Sequence, residues 1–178
     1  MMRAIQVLLV AASLLVAGCA ATVQRDTAQP QTLSMSAAAP RTLLAQLEGA
    51  GQVGKSSDWS RFVQRWQESL SAAAAEKELA FNLLEHDAPL PGASAVLARI
   101  RVNDFRYVSN GARQVFGILT GNAHLDVDVE FIELPSGEPL GVRHYRATSS
   151  TWQGVFSAMT PKQVEAVAQE IVLEVAGR

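Results

Sequence analysis

Cysteine occurs once in this 178-residue chain, at position 19, so no disulfide within the chain is available and burial alone must hold the fold. Histidine occurs three times, as His86, His124 and His144, and no Cys/His pair has the spacing of a zinc site. The chain also lacks a Gly-x-Ser-x-Gly elbow, a His-Glu-x-x-His helix and a glycine loop suited to phosphate. No catalytic residue, no resident metal and no cofactor is therefore expected, and the chain reads as non-enzymatic. Positive charge is in slight deficit, with 15 Lys and Arg against 17 Asp and Glu, which leaves no basic field to collect nucleic acid. Beyond the first 18 residues no stretch approaches the ~18 uninterrupted apolar residues of a membrane span. Glu85 and Asp104 are lone carboxylates and read as a surface charge and a turn group.

What is present begins at the amino terminus. Arg3 and the α-amino group make a short positive start, Ile5 to Ala17 is apolar except for Gln6 and Ser13, and Val16-Ala17-Gly18-Cys19 follows. This stretch is too short to span a bilayer and has the length of a secretory apolar region. It resembles a bacterial lipoprotein signal. The resemblance implies that residues 1–18 are a signal peptide, that cleavage falls before Cys19, and that the Cys19 thiol and the new amine are acylated. One acyl chain holds a protein only marginally, whereas three make attachment effectively permanent. Ala20 stands where an aspartate would retain a lipoprotein in the inner membrane, which implies an outer-membrane, periplasm-facing anchor.

Residues 19–40 read as the lipidated cysteine and a flexible spacer, small and polar with Pro30 and Pro40, although Thr32 to Ser36 alternates and could form a short edge strand. Residues 41–178 read as a single periplasmic domain. Arg41 to Leu47 is expected as a short helix ended by Gly49 and Gly51. A stronger helix follows, capped by Ser57 or Asp58, with Trp59, Phe62, Val63, Trp66, Leu70, Ala73 and Ala74 on one stripe. Leu79 to Leu84 is a candidate strand.

From Ser94 the period changes to two. Val96, Ala98, Ile100 and Val102 share one face, Arg99, Arg101 and Asn103 share the other, and Asn110-Gly111 signals a hairpin. Pairing about that turn sets Val102 opposite Leu119, Ala98 opposite Ala123 and Val96 opposite Leu125. The next strand runs through Leu125, Val127, Val129 and Phe131, and Pro135 to Pro139 turns the chain again. With Leu134 opposite Leu140, Glu130 meets His144, Asp128 meets Arg146, and Phe131 meets Arg143 on the buried face, a mismatch that a bulge near Gly141 would relieve. Thr160-Pro161-Lys162-Gln163 has the form of a capping box. Val164, Val167, Ala168, Ile171, Val172 and Val175 then make an apolar stripe, with Glu165, Gln169, Glu170 and Glu174 expected opposite. The fold class is α+β: a two-layer sandwich in which helices pack on one face of an antiparallel three- to four-stranded meander. Its open face would carry Arg99, Arg101, His124, Asp126, Asp128 and Glu130.

Asp104-Phe105, Arg113, Gly117, Gly121-Asn122-Ala123, Ser136-Gly137, Thr148-Ser149-Ser150, Gly154, Thr160 and Ala168-Gln169-Glu170-Ile171 together resemble the carboxy-terminal half of a family of uncharacterised bacterial lipoproteins, a domain of unknown function. The resemblance implies an envelope location and carries no catalytic residue. The order of elements is also similar to that of small outer-membrane assembly lipoproteins and of the amino-terminal domains of secretion-pore lipoproteins.

Two classes of function remain open on these residues. One is a structural or adaptor lipoprotein that binds another envelope protein through Trp152 and Phe156, or through the charged face with Asp126, Asp128 and Glu130. The other is a carrier or sensor of a small hydrophobic ligand, with Trp59 and Trp66 lining a pocket between helix and sheet. The plainer reading of that tryptophan pair is core anchoring. His124, Asp126 and Asp128 share one strand face, but successive side chains there are about 6.8 Å apart, too far to converge on one ion. Oligomeric state is left open.

Overall fold

The computed structural model describes residues 22–25, 33, 41–105, 124–148 and 159–177. The elements are β1 (Thr22–Arg25), β2 (Thr42–Gly49), a 3-10 turn (Val53–Lys55), α1 (Trp59–Glu76), β3 (Ala80–Leu84), β4 (Ala95–Phe105), β5 (His124–Leu134), β6 (Glu138–Thr148) and α2 (Met159–Ala176). The strands form one six-stranded sheet in the order β1-β6-β5-β4-β2-β3. β2 runs parallel to both β3 and β4, and the other pairs are antiparallel. The class is α+β with both helices on one face, as expected. The sheet is larger than the expected meander and mixed rather than antiparallel.

The helix expected over Arg41 to Leu47 is instead β2, a central strand. Leu43, Leu44, Ala45 and Gln46 are all buried, Leu43 and Ala45 toward the helices and Leu44 into a second cluster on the opposite face. A strand covered on both sides has no polar alternation, so its sequence looks like a short stretch of buried helix. With α1 as the crossover, β2 and β3 make a parallel βαβ unit.

The expected spacer is also revised. Thr22–Arg25 pairs with β6 at the sheet edge, from Thr22 opposite Thr148 to Arg25 opposite Tyr145. Val23 packs against the core and Leu33 is buried within it. Four residues of modest apolarity give no period of their own. The edge they complete is what recruits them.

Both helices bury the stripes read from the sequence. Phe62, Trp66, Leu70, Ala73 and Ala74 of α1 and Val164, Val167, Ala168, Ile171, Val172 and Val175 of α2 join one core cluster with the sheet. Each large aliphatic or phenyl side chain so enclosed contributes about 1.5–3 kcal/mol. Phe105, at the end of β4, stacks on Phe62 at 4.1 Å between centroids, and Trp59 packs against both rings. Asp58 occupies the amino-terminal cap of α1 but makes no capping bond; its carboxylate takes Arg61 at 3.1 Å. At the other end Leu79 N donates to Ala74 O (2.9 Å) and Glu78 N to Ala75 O (3.2 Å), a Schellman closure with Glu78 at φ +56°.

The two expected registers are corrected, and for one reason. Val102 faces Val127 rather than Leu119, Ala98 faces Phe131 rather than Ala123, and Val96 faces Glu133 rather than Leu125. In the second hairpin Asp128 faces His144, Asp126 faces Arg146 and Val129 faces Arg143. Alternation fixes only the parity of a register, and for these pairs each slide is by an even number of residues, so the core-facing side of each strand is unchanged while Val96 and Val129 meet Glu133 and Arg143. The Asn110-Gly111 turn lies outside the described residues. The expected bulge near Gly141 is present: Phe131 faces Gly141 while Ile132 faces Pro139, leaving Leu140 as the extra residue.

Candidate functional site

The sheet face opposite the helices is divided in two. At one end Leu44, Ala95, Leu97, Ile132 and Leu134 form the second apolar cluster. Gln46, on the same face, donates through Nε2 to the Glu85 and His86 carbonyls at 3.2 and 3.1 Å, which ties down the connection leaving β3. The other end is polar. Arg99, Arg101 and Asn103 of β4, Asp126, Asp128 and Glu130 of β5, and His144 and Arg146 of β6 alternate with the core residues and so project together.

These side chains interlock. A register shift at Val102/Asp104 makes Asn103 the extra residue of β4, and its Nδ2 donates to Asp128 Oδ2 (2.7 Å) and Asp126 Oδ1 (3.1 Å). His144 Nδ1 lies 2.7 Å from Asp128 Oδ1, and Arg146 Nε donates to Asp126 Oδ2 at 3.2 Å. Both oxygens of each aspartate are thereby engaged. Burial alone would raise the Asp128 pKa, but the Asn103 amide, His144 and the Arg101 charge outweigh it and hold the carboxyl below its ordinary value. Arg99 and Glu130 form a looser pair at 3.6 Å, and His124 Nε2 meets Asp104 Oδ2 at 2.8 Å.

Arg99, Arg101, His124, Asp126, Asp128 and Glu130 thus occupy the face assigned to them, with changed partners. Asn103, Asp104, His144 and Arg146 complete the network. Asn103 lies on the face that alternation assigns it with Arg99 and Arg101, whereas Asp104, read as a lone turn group, comes to meet His124 because the irregularity that turns it onto this face is invisible to a period of two. Among the described residues no group of three His, Asp or Glu side chains converges as metal ligands. The network presents charge of both signs in fixed positions, each aspartate oxygen holding an internal partner.

A second polar feature lies inside the core. Arg143 of β6 and Glu174 of α2 are each 1 % exposed, with Nε donating to Oε2 at 3.2 Å and Nη2 at 3.1 Å from the same oxygen. Nη1 donates to the Val142 carbonyl at 3.0 Å. Glu174, which the helical period assigns to the outer face of α2, is buried instead, because it flanks the stripe one turn beyond Ile171. Gly141 leaves room for the guanidinium: a Cβ there would stand 3.2 Å from Arg143 Nη1 and 3.4 Å from Leu33 Cδ2.

Trp66 is fully enclosed and meets Phe62 edge-on, and its indole N–H has no acceptor among the described residues. Trp59 is half-buried against Phe62 and Phe105. Both act as core anchors. Cys19, Trp152 and Phe156 lie outside the described residues. No described helix is long and apolar enough to cross a membrane.

The fold defines a class: two helices on one face of a mixed sheet, the other face partly open and charged. No protein-family model matches the chain, and no curated protein matches it. Solved structures do. A PelC dodecamer from Paraburkholderia phytofirmans matches with a TM-score of 0.50 at 12% identity, covering 88% of this chain and 96% of that one. A Xanthomonas campestris protein of the DUF330 family matches with a TM-score of 0.45 at 11% identity, covering 81% and 90%. A candidate lipoprotein from Caulobacter crescentus matches at 0.36 and 13%, covering 74% and 87%. At these identities the likeness is one of fold.

Proposed function

We propose that the chain is a lipid-anchored envelope protein without enzymatic activity, which binds another envelope protein through the open charged face of its sheet. The observation that carries this reading is the interlocked set Asn103, Asp126, Asp128, His144 and Arg146. It presents charge of both signs in fixed positions while committing its aspartate oxygens internally. Such a surface suits recognition of a complementary polar partner, where fixed charges set register and reject wrong partners. The Val16 to Cys19 stretch supports the anchor, and Ala20 supports the outer membrane as its place. Trp152 and Phe156 are a second candidate contact, since aromatic side chains dominate interface energetics.

The test is in-cell cross-linking followed by capture from detergent-solubilised membranes, comparing the wild-type chain with Cys19→Ala and with Arg101→Glu. One envelope protein enriched with the wild-type chain, and lost with Arg101→Glu while the fold is retained, is the expected result. Equal enrichment with Arg101→Glu would move the contact away from this face. The Paraburkholderia protein of the same fold is a dodecamer, so the mass of the purified assembly is read in the same experiment.

A further inference from the structure

Resting on the lipid attachment proposed above, we infer that the domain stands end-on to the membrane, with the Gly49, Phe105, His124 and Thr148 end of the sheet against the lipid surface. The argument begins with register. β1 starts at Thr22, three residues after Cys19, and a fully extended chain advances at most about 3.6 Å per residue. The acylated cysteine therefore lies within about 11 Å of Thr22. Thr22 is paired with Thr148, and Thr148 with His124 on the next strand. Leu125 faces Phe105, and Gly49 faces Val102, so the same end of the sheet continues across β4 to β2.

The opposite end is formed by Ala80, Ala95 and the Pro135 to Gly137 turn. β5 and β6 each span 11 residues, which sets that turn about 33 Å from the anchored end. A tether of about 11 Å cannot exchange the two ends. The remaining alternative is that the domain lies flat. Neither flank favours this. The open sheet face carries Arg99, Arg101, Glu130 and Arg146, and α1 exposes Arg61, Gln64 and Glu68. Among the described residues the large exposed hydrophobics are Leu90 and Val142, which make no apolar side on which to rest. End-on, the strands run away from the bilayer and the charged face points sideways, open to a neighbour in the same membrane.

The experiment uses the full lipidated chain carrying Gln52→Cys, beside the anchored end, or Ser136→Cys, in the far turn. Both positions are exposed, and acylation of Cys19 as proposed leaves the introduced thiol as the one that takes the label. Each variant is labelled with a fluorophore and reconstituted into vesicles of phosphatidylethanolamine and phosphatidylglycerol containing a headgroup-quencher lipid. The expected result is quenching several-fold stronger at position 52 than at 136. Equal quenching, or stronger quenching at 136, overturns the orientation while leaving the anchor intact. Mass analysis of the amino-terminal peptide is read in parallel: a chain without acyl groups on Cys19 overturns the anchor and the orientation with it.

Discussion

At the scale of single residues, Asp128 ties stability to pH. Its carboxyl is held below the ordinary aspartate value of about 3.9, so the native state binds that proton more weakly than the unfolded chain does. The stabilisation is therefore present above the unfolded value and is lost as pH falls through the lower native one. Asp128→Asn should cost about 0.5–1 kcal/mol at neutral pH, the modest figure reflecting a side chain still 44% exposed. The difference from wild type should close below pH ~3, measured by urea unfolding across the range. Arg143 makes the opposite case, a charge with no water to fall back on. Arg143→Ala takes the guanidinium from the buried Glu174 carboxylate and should cost about 3–5 kcal/mol. Arg143→Met combined with Glu174→Leu should cost far less than the single change, because removing both charges also removes their desolvation penalty. A double variant as unstable as the single would place the cost in lost packing instead.

At the scale of elements, the turn after β2 depends on two glycines. A Cβ on Gly49 would lie 2.5 Å from the Gly54 Cα and closer still to its nitrogen, backbone against backbone. Ala50 N donates to Val102 O at 2.9 Å, so the turn cannot swing away without releasing the end of β4. Gly49→Ala should destabilise by about 2–4 kcal/mol in thermal melts, whereas Gly92→Ala, which would meet nothing within 4 Å, should be near neutral. Elements also divide what the sequence made legible from what it hid. α1, α2, the second half of β4 and most of β5 announce themselves because each has one wet face and one dry face, so periodicity reports them. β2 is dry on both faces and β1 is a short edge, and neither leaves a period to read. The charged face was legible for the same reason as the strands that carry it. Its pairings were not, since alternation leaves even-numbered slides undecided and the irregularity beside Asn103 brings Asp104 onto this face out of turn. Arg143 falls on the buried side, as alternation requires, but its partner comes from α2, a contact across layers that no local pattern records.

At the scale of the whole molecule, one cluster spans both helices and the sheet, while the second stays under the connection after β3. The two sheet edges differ. β3 is short and half-exposed, and β1 closes the other side by pairing with β6. That closure has a consequence in time. Thr22 to Arg25 precedes every other strand of the sheet, yet the strand it pairs with is the last of them in the sequence. Contacts between such distant segments are slow to form, because a long loop must close before they yield any stabilisation. The segment nearest the proposed anchor must therefore wait, unpaired, until all the strands between it and its partner exist. The strand made first cannot take its place until the sixth is made.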